Sequence, residues 1–191
     1  FYYSPETDQH KDNFLSRFVY DDQKDTVVFA SEKVVLRVGV KRDECCHTGG
    51  SIDWDGKGNL FLSTGDDTNP FASDGYAPID FQEGRAGWDA LRSSGNTNDL
   101  RGKVLRITPQ NDGSYKIPEG NLFPASDKTR PEIYTMGHRN PYRIAVDKRN
   151  GYLYWGDIGP DAGKGNDKRG PEGIVEFNQA RKPGFFGWPI F

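Results

Sequence analysis

Ser51-Ile52-Asp53-Trp54-Asp55-Gly56-Lys57-Gly58-Asn59-Leu60-Phe61-Leu62-Ser63-Thr64-Gly65-Asp66 decides the fold. Ile52 and Trp54 alternate with polar Ser51 and Asp53, the Asp-Gly-Lys-Gly cluster turns the chain, and an apolar run returns: a β-hairpin. Glycines at 56 and 58 supply the positive-φ conformations that tight hairpin loops need. A turn centred between Gly56 and Lys57 sets Trp54 opposite Asn59, Ile52 opposite Phe61 and, at the open end, His47 opposite Asp66. Opposed residues of an antiparallel pair share a face, with Cβ atoms about 4.5–5.5 Å apart. The spacing therefore predicts a His–Asp pair in which a carboxylate orients an imidazole and raises its basicity. The plainer alternative is a hydrogen-bonded structural pair in a glycine-rich loop.

The pattern recurs. Arg143-Ile144-Ala145-Val146-Asp147-Lys148-Arg149-Asn150-Gly151-Tyr152-Leu153-Tyr154-Trp155-Gly156-Asp157 places Ile144 and Asp147 each 92 residues after Ile52 and Asp55. Both hairpins end in Gly-Asp and are followed by a long loop and one further strand, Lys103–Thr108 or Gly173–Phe177. Upstream, Phe1–Tyr3, Phe14–Tyr20 and Val34–Val40 read as strands, and helical periodicity is almost absent. Repeated units of about four short antiparallel strands mean a β-propeller or a sandwich. Two full blades and part of a third fit the chain best. Residues 67–101 show no period and are expected to form a loop packed over a site face.

The same hairpin geometry in the second unit sets Asn140 opposite Asp157, Arg139 opposite Ile158 and His138 opposite Gly159. Equivalent ends of neighbouring blades converge on the central channel. His47, Asp66, Arg139, Asn140 and the Gly159-Pro160 carbonyls are thus expected on one rim. That rim holds a base with its orienter, a fixed cation with planar donors, and backbone oxygens suited to a hard cation.

Composition narrows the function classes. The 191 residues permit one domain, and 13% aromatics argue against disorder despite only 34% hydrophobic residues. A formal charge of −3 without a basic block excludes a nucleic-acid footprint. No apolar run approaches the roughly 18–20 residues a membrane span requires. The chain opens on what reads as a strand under way and closes on a starting apolar segment, so it is expected to be a piece of something longer. Its two cysteines, Cys45 and Cys46, are adjacent; a strained vicinal disulfide and a pair of reduced thiols are both open readings.

Taken in order, several stretches resemble the soluble quinoprotein glucose/sorbosone dehydrogenase family. They are His47 with Gly50, Ser63–Asp66, Gly102–Arg106, Ile133–Pro141, Gly159-Pro160, Glu176–Asn178 and Phe186–Pro189. The resemblance implies an all-β fold: residues 1–191 as a partial six-bladed β-propeller, about two to three blades of four antiparallel strands with long loops. It implies pyrroloquinoline quinone (PQQ) and Ca²⁺ as cofactors. The histidine matching His47 takes the proton from a sugar hydroxyl while hydride passes to the quinone, and the aspartate matching Asp66 holds that histidine. Positions matching Arg139 and Asn140 contact the quinone, and the carbonyls matching Gly159 and Pro160 bind Ca²⁺. The expected substrate is a sugar or polyol, the electron acceptor a cytochrome or a quinone, and the location periplasmic or secreted in a bacterium. A vicinal Cys45–Cys46 disulfide against the cofactor is a further expectation. The chain departs from the best-known members at Cys46, where they carry Asp, and it has no match near Phe71 for a substrate-holding glutamine. The alternative is a cofactor-less propeller that binds carbohydrate or a partner.

Overall fold

A computed structural model describes residues 1–6, 11–41, 46–73, 75–76, 79–168 and 170–190. Among them the regular structure is β throughout, apart from two single-turn 3₁₀ helices at Ala86–Trp88 and Ala90–Arg92. Three sheets follow one another. The first joins β1 (Tyr2–Tyr3), β2 (Asp12–Asp21) and β3 (Thr26–Gly39) in that order. The second is a complete four-stranded antiparallel blade of β4 (Ile52–Trp54), β5 (Leu60–Thr64), β6 (Lys103–Pro109) and β8 (Ile133–Met136). Short β7 (Tyr115–Lys116) pairs with β6, and β12 (Gly184–Phe185) adds to β8 in parallel. The third sheet joins β9 (Pro141–Val146), β10 (Leu153–Asp157) and β11 (Glu176–Ala180). One full blade flanked by two three-stranded sheets thus replaces the expected two full blades and part of a third.

The middle blade is apolar on both faces, which is why Leu60-Phe61-Leu62 reads as a continuous hydrophobic run rather than an alternation. Successive side chains point to opposite faces. Leu60 and Leu62 join Leu15, Leu36 and Val38 of the first sheet in one core, whereas Phe61 joins Ile144, Leu153 and Trp155 of the third sheet in another. On β6, Leu105 and Ile107 face the first core and Val104 the second. Phe61 is 1% exposed and meets Tyr134 edge to face at 5.4 Å. A side chain this buried contributes about 1.5–3 kcal/mol through removal of apolar area from water.

Neighbouring blades meet through side chains rather than a shared ladder. Ser51 Oγ accepts from Ile144 N at 3.2 Å and Asp53 Oδ2 accepts from Val146 N at 2.7 Å. Two edge amides of β9 are satisfied by polar side chains, Asp53 of β4 and Ser51 just before it.

Both predicted hairpin registers need correction. Ile52 pairs with Leu62 and Trp54 with Leu60, one residue from the expected partners. Asp55 is the cause: its carboxylate accepts from Lys57 N and Asn59 N at 2.8 and 2.9 Å and from Asn59 Nδ2 at 2.7 Å. This carboxylate-closed loop encloses Gly56, Lys57 and Gly58, with Gly58 at φ +82°. In the second hairpin the enclosing pair is Asp147 with Tyr152, one residue wider. Ile144 there pairs with Trp155, and a bulge before Asp157 sets it against Pro141 rather than Asn140.

Candidate active site

His47 and Asp66 meet although the ladder does not reach them. The chain before β4 leaves regular structure, with Cys46 and His47 at φ +83° and +53°, a conformation that costs L-residues roughly 1–2 kcal/mol each. The His47 carbonyl accepts from Asp67 N at 3.2 Å, and Asp66 N donates to Arg139 O at 2.8 Å. Residue 66 is therefore wedged between the two blades' loops. His47 Nδ1 lies 2.8 Å from Asp66 Oδ1, with the two side chains 8% and 0% exposed. A carboxylate only accepts, so Nδ1 carries the proton and Nε2 is left with a lone pair.

Asp66 is fully satisfied. Oδ1 also accepts from Thr68 N at 3.0 Å and Thr68 Oγ1 at 2.9 Å, and Oδ2 accepts from Trp188 Nε1 at 2.8 Å. Neither Thr68 nor Trp188 was singled out as a site residue from the sequence. The Asp66-Asp67-Thr68 spacing holds the signal for Thr68, a carboxylate accepting from the backbone two residues on. Nothing local points to Trp188, 122 residues away.

Arg139 is 5% exposed and places Nη1 3.1 Å from the Ile158 carbonyl, with its guanidinium over the Trp188 ring at 5.8 Å. Burial pushes its pKa below the ordinary arginine range, against the pull of Asp66, Asp161 and Asp157. Asn140 serves as a tie: its amide oxygen accepts from Gly49 N at 3.2 Å and its backbone N donates to Asp157 Oδ1 at 2.7 Å. His138, fully buried, packs between Trp155 and Phe186, with Nε2 2.8 Å from Thr135 Oγ1 and Nδ1 3.4 Å from Asp157 Oδ2. It forms a second, internal His–Asp contact behind Arg139.

Part of this cluster borders a cavity of about 470 Å³. Arg139, Gly159, Pro160 and Trp188 contribute to its wall, together with Phe186 and the carboxylates Asp157, Glu172 and Glu176. His47 and Asn140 do not line it, and Asp66 reaches the wall through the Trp188 indole. Gly159 and Gly173 are required by close backbone approach. A Cβ on them would lie 1.9 Å from Ile174 O and 1.6 Å from Pro160 O respectively. Among the described residues, neither the Gly159 nor the Pro160 carbonyl accepts a hydrogen bond. The insertion at 67–101 reaches this cavity as well: Tyr76 and Ile79 line it, and Tyr76 Oη donates to Lys164 O at 2.9 Å.

The insertion is pinned from below by Lys103. This fully buried ammonium donates to the carbonyls of Arg101, Ser93 and Ser94 at 2.7, 2.8 and 3.2 Å. Burial pushes its pKa down to about 7. Ser94 Oγ in turn donates to the His138 carbonyl, beside Arg139.

Cys46 is disulfide-bonded, and Cys45 lies outside the described residues, where the expected vicinal pairing also falls. Among the described residues no group of three or more His, Cys, Asp or Glu is placed to hold a metal, and no helix is long and apolar enough to cross a membrane.

Comparison with known proteins gives the family. The chain is similar to aldose sugar dehydrogenase YliI of Escherichia coli K12, 29% identical over 159 residues, covering 83% of this chain and 33% of that one. It is similar also to the HIPL1 protein of Arabidopsis thaliana, 28% identical over 134 residues, covering 63% and 18%. Its fold matches the crystal structure of the soluble aldose sugar dehydrogenase from Escherichia coli in the apo-form, with TM-score 0.64 and 24% identity over 98% of this chain and 43% of that one. The chain thus spans less than half the length of each of these relatives. The sequence model of the glucose/sorbosone dehydrogenases matches residues 1–191, and the chain belongs to that family of oxidoreductases.

Proposed function

We propose that this chain carries the proton-transfer side of a PQQ- and Ca²⁺-dependent dehydrogenase that oxidises a sugar or polyol. The observation that carries the proposal is the buried His47–Asp66 pair, at 2.8 Å, joined through Trp188 to a cavity that contains Arg139.

The residues fit such cofactors. The Phe186 and Trp188 rings offer apolar walls to a planar ring system, and Arg139 uses one donor on Ile158 O, leaving others for a carboxylate or a carbonyl oxygen. Gly159 and Pro160 belong to the same wall, and backbone carbonyls of this kind are the ligand chemistry a hard divalent cation takes. PQQ, when bound, supplies a two-electron acceptor, and Ca²⁺ supplies the charge that polarises it.

The chain's own residues do the rest. His47 Nε2 accepts the proton of the substrate hydroxyl, and Asp66 keeps Nδ1–H in place and stabilises the imidazolium as it forms. Arg139, itself 5% exposed, offsets negative charge that develops beside it. Asn140 holds the Gly49 loop against Asp157, fixing the rim on which His47 sits. The electron acceptor in this reading is a cytochrome or a quinone. The disulfide at Cys46 suits an oxidising compartment, periplasmic or extracellular.

The test uses the full-length protein that contains this chain, supplied with PQQ and Ca²⁺ and a panel of aldoses and polyols with a dye acceptor. Turnover that requires both cofactors and is lost in His47→Gln is the expected result. Failure to bind PQQ in the presence of Ca²⁺ overturns the reading.

A further inference from the structure

We propose that Trp188 is a positioning residue that locks the rotation of the Asp66 carboxylate, and with it the orientation of the His47 ring, and so ties the state of the base to the cavity wall. The inference rests on the assignment of His47 as a base.

The two oxygens of Asp66 are held differently. Oδ1 takes three donors from nearby in the chain, His47 Nδ1, Thr68 N and Thr68 Oγ1. Oδ2 takes the Trp188 indole N–H at 2.8 Å. A carboxylate can rotate about its Cβ–Cγ bond, and the two oxygens are chemically equivalent until something distinguishes them. Thr68 on one oxygen and Trp188 on the other make that distinction. With the indole N–H on Oδ2, the carboxylate cannot turn about Cβ–Cγ, and Oδ1 stays aligned with His47 Nδ1. Without it, Oδ2 would be a buried anionic oxygen with no donor among the described residues, a state that costs the full desolvation of that atom.

The same indole has two other faces in play. It forms part of the cavity wall, and the Arg139 guanidinium lies over it at 5.8 Å. Its place is fixed by the backbone, since Trp188 N donates to Gly137 O at 3.1 Å. A ligand seated in the cavity therefore touches the residue that holds the orienter of the base, and the two sites share one rigid side chain. The charged groups facing the pair are Asp67 from the connection after β5 (itself paired with Arg101), Lys103 at the start of β6, and Arg139 before β9. Trp188→Phe leaves all of them in place.

The experiment is a titration of the full-length protein without cofactor, following the His47 ring nitrogens and the Trp188 indole N–H by ¹⁵N NMR. In the native protein the indole resonance is expected to move with the His47 midpoint, because Asp66 connects them. In Trp188→Phe, Asp66 loses a donor and its charge acts more fully on the imidazolium, so the His47 midpoint is expected to rise by about 0.5–1 unit. With cofactors supplied, the acid limb of kcat/KM should shift up by the same amount, whereas a residue that only lines the wall would change KM and leave that limb alone. An indole resonance indifferent to the His47 titration overturns the proposal even if the variant does not fold, and so does an unchanged midpoint in Trp188→Phe. A shifted midpoint in a protein that never turns over supports the role of Trp188 and removes the dehydrogenase reading instead.

Discussion

Gly65 and His47 are in backbone contact so close that no side chain fits between them: a Cβ on Gly65 would lie 1.8 Å from the His47 carbonyl oxygen. The base is held against the end of β5 by the absence of a methyl group. Gly65→Ala must push the His47 loop away from Asp66. It is expected to destabilise the fold by about 1–3 kcal/mol in urea unfolding and to lower kcat/KM of the full-length protein while cofactor binding survives.

Asp66→Asn keeps the shape of the orienter and removes its charge. An amide can offer N–H as well as oxygen to His47, so the tautomer is no longer imposed and the imidazolium loses its counter-ion. A fall in kcat of about 10³–10⁴ is expected, by analogy with carboxylate-oriented histidines elsewhere, together with a lower thermal midpoint, because the amide nitrogen replaces an oxygen that accepts from Trp188 Nε1 or from Thr68 and His47. Steady-state kinetics and a melting curve on the same preparation test both halves.

Lys103 carries a pH signature. Its folded-state pKa of about 7 lies below its ordinary value of 10.5, so between those limits the unfolded chain binds more protons than the folded one. Stability contributed by this group therefore rises with pH across that window, by at most about 1.4 kcal/mol per unit. Lys103→Met is expected to remove that slope between about pH 7 and 10, as read from urea unfolding at several pH values. Above pH 10 the sign reverses for Tyr2 and Tyr115, whose pKa values burial pushes up to about 12, because the unfolded chain then loses protons first.

Phe61→Ala empties a position at the centre of the second core, under Tyr134 and against the third sheet. A loss of about 3–5 kcal/mol is expected from transfer and cavity terms together. A loss under 1 kcal/mol in chemical denaturation would mean the two sheets do not pack through this residue.

The strands of the first hairpin were legible because Ile52, Trp54 and Leu60–Leu62 carry the apolar pattern and Asp55–Gly58 carries the turn chemistry. Its register was not, because the deciding interaction is the Asp55 carboxylate closing on Asn59, and residue counting treats the loop as symmetric. The His47–Asp66 pair was found by that same counting, yet it forms for a different reason: two non-glycine residues at positive φ carry the chain back over Gly65. Arg139 was placed correctly beside Ile158, but through its side chain rather than through a facing pair. Trp188 was quoted as part of a family pattern without a role, since only the folded chain brings residues 122 apart within hydrogen-bond reach. Asn140 shows the converse. The family resemblance implied a quinone contact for it, and the folded chain adds a second task, since its amide oxygen accepts from Gly49 N.

The junction between β4 and β9 has a consequence for how such a chain can change. A hydrogen-bonded ladder transmits any slip along its whole length, since a one-residue shift turns every side chain to the opposite face. Ser51 and Asp53 instead bridge the blades by reaching two separate amides, so each blade keeps its own count. The second hairpin encloses one residue more than the first, and the difference ends within its own sheet. Insertions and deletions in one unit are absorbed there, leaving the geometry of its neighbour untouched, and repeats that have drifted apart in length can still close around one site.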